Sequence, residues 1–338
     1  MTPTVDDLDR AIKDCLIQDG RMPSAQIARR LGGVSTKTIT SRVARLTTEG
    51  IVKVTAIANR RALGYQIAAG IGVETEPGLV ERVGQAIAQI DQVSYVALIA
   101  GDQDVWIQVQ AADMEHLQSI LAERIDMTPG VRRSELSFIV TRELKDDVAT
   151  PTSLRRPTSG RLVAHSRGTL DGEPRRPGAP VRHPVVDGTD RAIMDLLMDD
   201  GRMPSTQVAR SLGTVSGKTV SRRLDRLLSE GIIRVVAIAD HRALGYSVIA
   251  DIGIETRPGR AEEVGQALAA MAQVNYVALV TGDCDVWIQM RAVDMEDLQR
   301  FILRKLHKMP GVRRTSTALL FTSALKDIDS WRLPADLP

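Results

Sequence analysis

Aromatic side chains make up only 3% of this 338-residue chain, so its cores must be aliphatic, and a cofactor box of stacked rings has little to draw on. Cysteine is scarcer still. Cys15 and Cys284 stand in no Cys-x-x-Cys or Cys/His spacing, which speaks against a disulfide framework and a zinc site; one is expected in a core and one in a loop. No Ser/His/Asp set, paired catalytic carboxylates or phosphate-binding glycine loop stands out, so no enzyme chemistry, metal or cofactor is expected. The first ten residues have no basic and apolar leader pattern, and no uninterrupted apolar run approaches the length of a membrane span. A cytoplasmic protein without a membrane partner is expected. The net charge of +2 does not by itself predict nucleic-acid binding, so the distribution of charge has to decide.

What the sequence does have is a duplication. Gly20-Arg21-Met22-Pro23-Ser24 returns 181 residues on as Gly201-Arg202-Met203-Pro204-Ser205, and the same displacement relates Val105-Trp106-Ile107-Gln108 to Val286–Gln289 and Leu144-Lys145-Asp146 to Leu325–Asp327. Two copies displaced without insertion indicate a duplicated unit, not a solenoid. Between them, 148–186 holds six of the fifteen prolines and seven arginines against one Asp and one Glu, which reads as a flexible basic tether. Its 39 residues give a root-mean-square reach of ~35 Å, long enough for the copies to pair with each other.

The first half of each copy has a helix-turn-helix pattern. Leu8, Ile12 and Leu16 fall at helical spacing, a second periodic stretch starts at Ser24, and after Gly32-Gly33 a third helix is capped by Ser35 and buries Ile39, Val43 and Leu46. Around that stripe stand Thr36, Lys37, Thr38, Thr40, Ser41, Arg42 and Arg45; the second copy offers Ser216 as cap with Lys218, Thr219, Ser221, Arg222, Arg223 and Arg226. Such side chains reach phosphates and base edges when a helix enters the major groove. Glu49-Gly50-Ile51-Val52 and Glu230-Gly231-Ile232-Ile233 then pass through glycine into β-branched runs, as in a winged domain.

The order Ile27-Ala28-Arg29-Arg30-Leu31-Gly32, Ser35, Arg42-Val43-Ala44-Arg45-Leu46, Glu49-Gly50-Ile51-Val52, then Arg61-Ala62-Leu63-Gly64-Tyr65 resembles the start of Lrp/AsnC (feast/famine) transcriptional regulators. In both copies the turn Ala28–Ser35 or Ala209–Ser216 is one residue longer than that family's. The resemblance implies the third helix as recognition helix, double-stranded DNA as partner, a small effector such as an amino acid, and a homo-oligomer, here of intrachain pseudo-dimers.

The second half of each copy alternates as a strand over 66–73, a helix from Leu79 to Ile90, strands at 93–100 and 105–109, a helix from Met114 to Ile125 and a strand at 136–140. This β-α-β-β-α-β order is ferredoxin-like, so the fold class is α+β, with two copies of a winged helix-turn-helix domain followed by a ferredoxin-like (RAM) effector and oligomerisation domain. The expected boundaries are 1–55 and 56–147 for the first copy, 148–186 for the linker, 187–236 and 237–328 for the second copy, and 329–338 for a tail. The turns Gly101-Asp102-Gln103-Asp104 and Gly282-Asp283-Cys284-Asp285 resemble the loop with which the family's effector domain approaches an amino acid. The resemblance implies Gly101, Asp102, Asp104, Gly282, Asp283 and Asp285 as effector residues, since a carboxylate holds an ammonium and glycine permits close approach. The alternative for the turns is plain hairpin geometry.

Two other functions compete. Siroheme decarboxylases share this build and use basic and histidine residues around a tetrapyrrole. This chain has five histidines: His165 and His183 in the tether, His116 and His307 without repeat counterparts, and His241 where the first copy has Arg60. An amino-acid-binding module without DNA binding is the third possibility.

Overall fold

A computed structural model describes residues 5–145, 185–321 and 324–326; almost all of the tether read at 148–186, and the tail 329–338, lie outside these. The first copy runs α1 (Asp7–Gln18), α2 (Ser24–Leu31), α3 (Thr36–Thr48), β1 (Val52–Ala58), β2 (Ile67–Thr75), α4 (Val80–Ala88), β3 (Val93–Ala100), β4 (Val105–Ala111), α5 (Met114–Ser119) and β5 (Val131–Lys145). The second repeats it as α6 (Gly188–Asp199), α7 (Ser205–Leu212), α8 (Gly217–Ser229), β6 (Ile233–Ala239), β7 (Val248–Thr256), α9 (Ala261–Ala269), β8 (Val274–Gly282), β9 (Val286–Ala292), α10 (Met295–Phe301) and β10 (Val312–Leu320). By contacts the chain divides by domain type and not by copy: the described parts of Met1–Asn59 and Pro184–Tyr246 form one compact unit, those of Arg60–Asp146 and Ser247–Pro338 the other.

In the first unit the starts of α1, α3, α6 and α8 are each built by a side-chain cap. Asp6 caps α1 in a reciprocal box with Asp9, Asp187 does so for α6 with Asp190, and Ser35 accepts the Thr38 amide at the start of α3. Two successive left-handed glycines, Gly32 and Gly33, carry the long turn into α3, whereas the second copy uses Gly213 alone. Ile39, Val43 and Leu46 close the core with Ile12, Leu16 and Ile27. Strands β1 and β6 then pair antiparallel, with Thr55 opposite Val236, its own counterpart in the repeat. The flanking bonds are reciprocal. Gly20 N donates to Val235 O and Gly201 N to Val54 O; Arg202 reaches the carbonyls of Gly20 and Met22, and Arg21 that of Met203. The two helix-turn-helix copies are thus related by a local two-fold axis through Thr55 and Val236.

In the second unit each copy contributes a four-stranded ferredoxin-like sheet, β3-β4-β2-β5 and β8-β9-β7-β10, and the pairs β5–β8 and β10–β3 join the two into a closed barrel. Aliphatic residues on one face of each sheet pack under the helices, among them Ile71, Val96 and Ile107 beneath Ile87 of α4. The other face looks into the barrel, where Ala97, Ile99, Trp106, Phe138, Val140, Ala278, Val280 and Cys284 form a core drawn from both copies. Two expectations are corrected here. The helix read from Met114 to Ile125 is α-helical only to Ser119 and π-helical over Ile120–Ile125, which lets residues five apart, Ile120 and Ile125, both face the core. The strand read at 136–140 spans Val131–Lys145, because it is paired on both sides.

The copies differ at one bulge. In β5 the register against β2 shifts around Ser137, so Phe138 lies opposite Gly70; β10 continues against β7 without that shift, and Ala318 lies opposite Asp251. A one-residue slip moves a strand's side chains to the other face. Accordingly Phe138 and Val140 point into the barrel, while Leu319, the repeat counterpart of Phe138, packs under the helices and Ala318 and Leu320 point inward. Gly70 makes room for this, since a Cβ there would sit 2.6 Å from the Phe138 and Trp106 rings.

Trp106 and Trp287 stack at the centre with centroids 4.6 Å apart and planes at 14°, and Phe138 tilts against both at 5.4 and 4.8 Å. Trp106→Ala is expected to cost about 3–5 kcal/mol through the cavity left behind. Urea unfolding followed through the remaining tryptophans checks this; a loss below about 1 kcal/mol contradicts a packed barrel centre.

Candidate nucleic-acid interface and effector turns

The outer surface of α3 sorts into side chains committed to the fold and side chains left over. Ser35 is spent on its cap and bonds the Thr38 hydroxyl at 2.8 Å; Ser216 and Thr219 do the same at 3.0 Å, and the Thr40 hydroxyl donates to the Thr36 carbonyl. Arg42 donates to Asp6 and, at 3.0 Å, to Asp9, and Arg45 also pairs with Asp9. Arg223 binds Asp187 at 2.7 Å and Asp190 at 2.9 Å, and Arg226 binds Asp190 at 2.5 Å. These four arginines are among the expected DNA contacts; in the structure each is partly exposed and pairs with acids at the start of α1 or α6. Asp9 and Asp190, missed in the sequence, organise them from fully buried positions. The signal was present: Asp-x-x-Asp at the head of each first helix, matched by Arg-x-x-Arg on each third helix.

Thr36, Lys37 and Ser41 on α3, and Lys218, Ser221 and Arg222 on α8, are exposed and make no side-chain hydrogen bond or ion pair among the described residues. The copies diverge here: Ser41 corresponds to Arg222, Thr36 to Gly217 and Ala44 to Asp225, while Arg30 on α2 corresponds to Ser211 on α7.

The Asp6 and Asp187 carboxyls are held below the usual carboxylate range, first by the Asp9 or Asp190 amide and also by the facing arginine. A depressed carboxylate contributes stability above its unfolded pKa and loses it as pH falls, so these caps weaken on acidification below about pH 4. Asp190→Asn is expected to lower stability by about 1–3 kcal/mol, because Arg223 and Arg226 lose a charged acceptor yet still reach water. Thermal unfolding against pH checks both; an unchanged midpoint would show the Asp190 cluster to be ornamental.

The two Gly-Asp turns lie in the second unit, each against the last strand of the other copy. The Asp104 carboxylate accepts the Thr75 amide at 2.8 Å and the Thr75 hydroxyl at 3.1 Å, and Asp285 does the same with Thr256 at 2.7 and 2.9 Å. The carboxylates of Asp102 and Asp283 are exposed and without a bonded partner among the described residues. Gly101 lies beside Ala318, with room for a Cβ at 3.6 Å, whereas Gly282 has φ +149° and a Cβ there would fall 2.1 Å from the Ser137 carbonyl. Cys284, read as a loop residue, is in the loop but buried against Gly253, and burial pushes its thiol up to about 12, so it holds no thiolate at neutral pH. Among the described residues no group of three or more His, Cys, Asp or Glu side chains is placed to hold a metal, and no helix is long and apolar enough to cross a membrane.

Family comparisons match this geometry. The Lrp/AsnC ligand-binding domain model matches 68–150 and again 249–328, the AsnC-type helix-turn-helix model matches 5–47, and a winged helix-turn-helix model matches 186–234. An uncharacterised HTH-type transcriptional regulator of Pyrococcus abyssi is 38% identical over 136 residues, which is 40% of this chain and 85% of the relative. The HTH-type transcriptional regulator LrpA of the same organism is 34% identical over 137 residues, 40% of this chain and 96% of the relative. Among solved structures, the siroheme decarboxylase NirDL superposes over 95% of this chain and 93% of its own with a TM-score of 0.59, and its complex with an iron-uroporphyrin III analogue with 0.60; at 16% identity this likeness is one of fold alone. Two ligand-binding domains, each preceded by its own helix-turn-helix, make the chain a member of the Lrp/AsnC family of HTH-type transcriptional regulators, carrying the family's two-domain unit twice.

Proposed function

We propose that this chain is a cytoplasmic, sequence-specific DNA-binding regulator that works as an intrachain pseudo-dimer on an asymmetric operator and assembles into homo-oligomers. An amino acid or similar small zwitterion would tune its DNA affinity. The observation that carries the reading is the pairing of Thr55 with its own counterpart Val236, which relates α3 and α8 by a local two-fold. A two-fold pair of recognition helices suits two half-sites, and operator symmetry mirrors protein symmetry. Here the symmetry stops at the side chains. The donors not committed to the fold are Thr36, Lys37 and Ser41 on one helix and Lys218, Ser221 and Arg222 on the other, and Arg222 adds a guanidinium suited to guanine where Ser41 offers only a hydroxyl. The half-sites would therefore differ in sequence. Against a tetrapyrrole enzyme stands the histidine distribution: His116, His241 and His307 correspond to Asp297, Arg60 and Asp126 in the other copy, so no histidine recurs in both.

Selection of bound sequences from a random library, followed by footprinting, tests the reading. Two unlike half-sites are expected. Arg222→Ser should cost about 1–3 kcal/mol at one half-site and make it resemble the other, whereas Lys37→Ala, if it touches only phosphate, should flatten the salt dependence across all sequences. A perfect palindrome with interchangeable halves would refute the asymmetric operator, and absence of salt-sensitive DNA binding would refute the regulator reading.

A further inference from the structure

We infer that the two Gly-Asp turns of one chain are not equivalent: the first, Gly101–Asp104, is an open site for one amino-acid zwitterion, and the second, Gly282–Asp285, is a closed structural seam. This rests on the effector reading above and gives it a stoichiometry of one ligand per chain.

The difference originates in the bulge at Ser137. By displacing the main chain of β5, the bulge carries the Ser137 carbonyl against the second turn, where it accepts the Asp283 amide at 2.8 Å. Strand β8 accordingly runs on to Gly282, paired with Phe138, and only a glycine fits the φ of +149° and the 2.1 Å that a Cβ would leave to the Ser137 oxygen. The turn's own thiol, Cys284, is buried against Gly253. No main-chain donor at Asp283 is left over for a ligand, and opening the seam would break strand pairing that closes the barrel.

The first turn lacks the main-chain closures. β10 lacks the bulge, and its pairing with β3 begins at Leu319–Ala100 and Leu320–Ile99 and continues away from the turn, with Phe321 N donating to Leu98 O, so it stops short of the turn itself. The amides of Gly101 and Asp102 meet no acceptor among the described residues, and neither does the Asp102 carboxylate meet a donor. Gln103 lies across Gly72, where a Cβ would come within 2.4 Å of its side chain, and adds an amide head group where the second turn has a thiol. Free N–H groups beside a free carboxylate match the two ends of a zwitterion: the amides take its carboxylate and Asp102 its ammonium, both as charge-assisted bonds. Asp104 and Asp285, each bound to a threonine on the neighbouring strand, hold the turns in place in both copies and contribute no difference.

Two measurements on the full-length chain test this. Amide hydrogen exchange needs no ligand: the Asp283 amide is expected to exchange about 100-fold or more slowly than the Asp102 amide, and equal rates would overturn the inequivalence while leaving the effector reading intact. The twenty L-amino acids are then screened by thermal shift, and those that bind are titrated calorimetrically. One site per chain is expected, lost in Asp102→Ala and kept within about twofold in Asp283→Ala. Two equal sites, or loss through Asp283→Ala, would overturn the assignment. Failure of all twenty to bind would instead remove the effector reading and the ligand half of this inference with it.

Discussion

The structure depends on main-chain hydrogen bonding between the two copies. Strand β1 has no partner inside its own copy, and each four-stranded sheet presents two edges, at β3 and β5 or at β8 and β10. Unpaired edges expose rows of donors and acceptors and invite pairing with foreign strands. The chain removes them by its own repetition, with a seven-residue ribbon in one unit and barrel closure in the other. The hydrophobic cores follow the same logic: Ala237 of the second copy is buried in the core of the first helix-turn-helix domain, and the barrel interior takes residues from both copies. A single copy would expose these surfaces.

Covalent linkage frees the copies from identity, and the barrel interior records the result. Glu143 is buried in an ion pair with Arg60 at 3.1 Å and accepts the Tyr276 hydroxyl of the other copy at 3.1 Å. The counterpart of Glu143 is Ala324, yet the second copy has not lost its buried carboxylate. Asp251 stands where the first copy has Gly70 and accepts from Gln289 at 3.0 Å, while Gln289 also reaches Tyr95 of the first copy. Gly70 with Phe138 and Asp251 with Ala318 are two solutions to one packing problem, large against small on one side and polar against small on the other. A homodimer, with both sites encoded by one sequence, has no access to such an arrangement.

Much of this was legible beforehand. The aliphatic stripes gave the helices, period-two alternation the strands, Ser35 and Ser216 the caps, and the constant 181-residue displacement the two copies. What failed to show was set by tertiary pairing. Nothing in Leu136-Ser137-Phe138 against Thr317-Ala318-Leu319 announces that only the first bulges, because a bulge is chosen by the strands on either side. The π-helical turn hides in a pattern that looks α-helical until Ile120 and Ile125 must both be buried. The four arginines beside the buried stripes of the third helices read as available donors, and only the placement of Asp9 and Asp190 reveals their acidic partners. The Gly-Asp-x-Asp motif was legible as a turn, but the separate duties of its two aspartates appear only when Thr75 and Thr256 are seen to claim the second of each pair.

The central claim is that one chain pairs its own two copies. Lys53 and Ile238 are register partners on β1 and β6, and both are half-buried. Replacing both by cysteine in a background free of Cys15 and Cys284, and oxidising at nanomolar concentration, places a bond across the local two-fold. The account predicts a cross-linked product with the mass of one chain. A product with the mass of two chains, formed at that same dilution, would show that the copies pair between molecules and would contradict it.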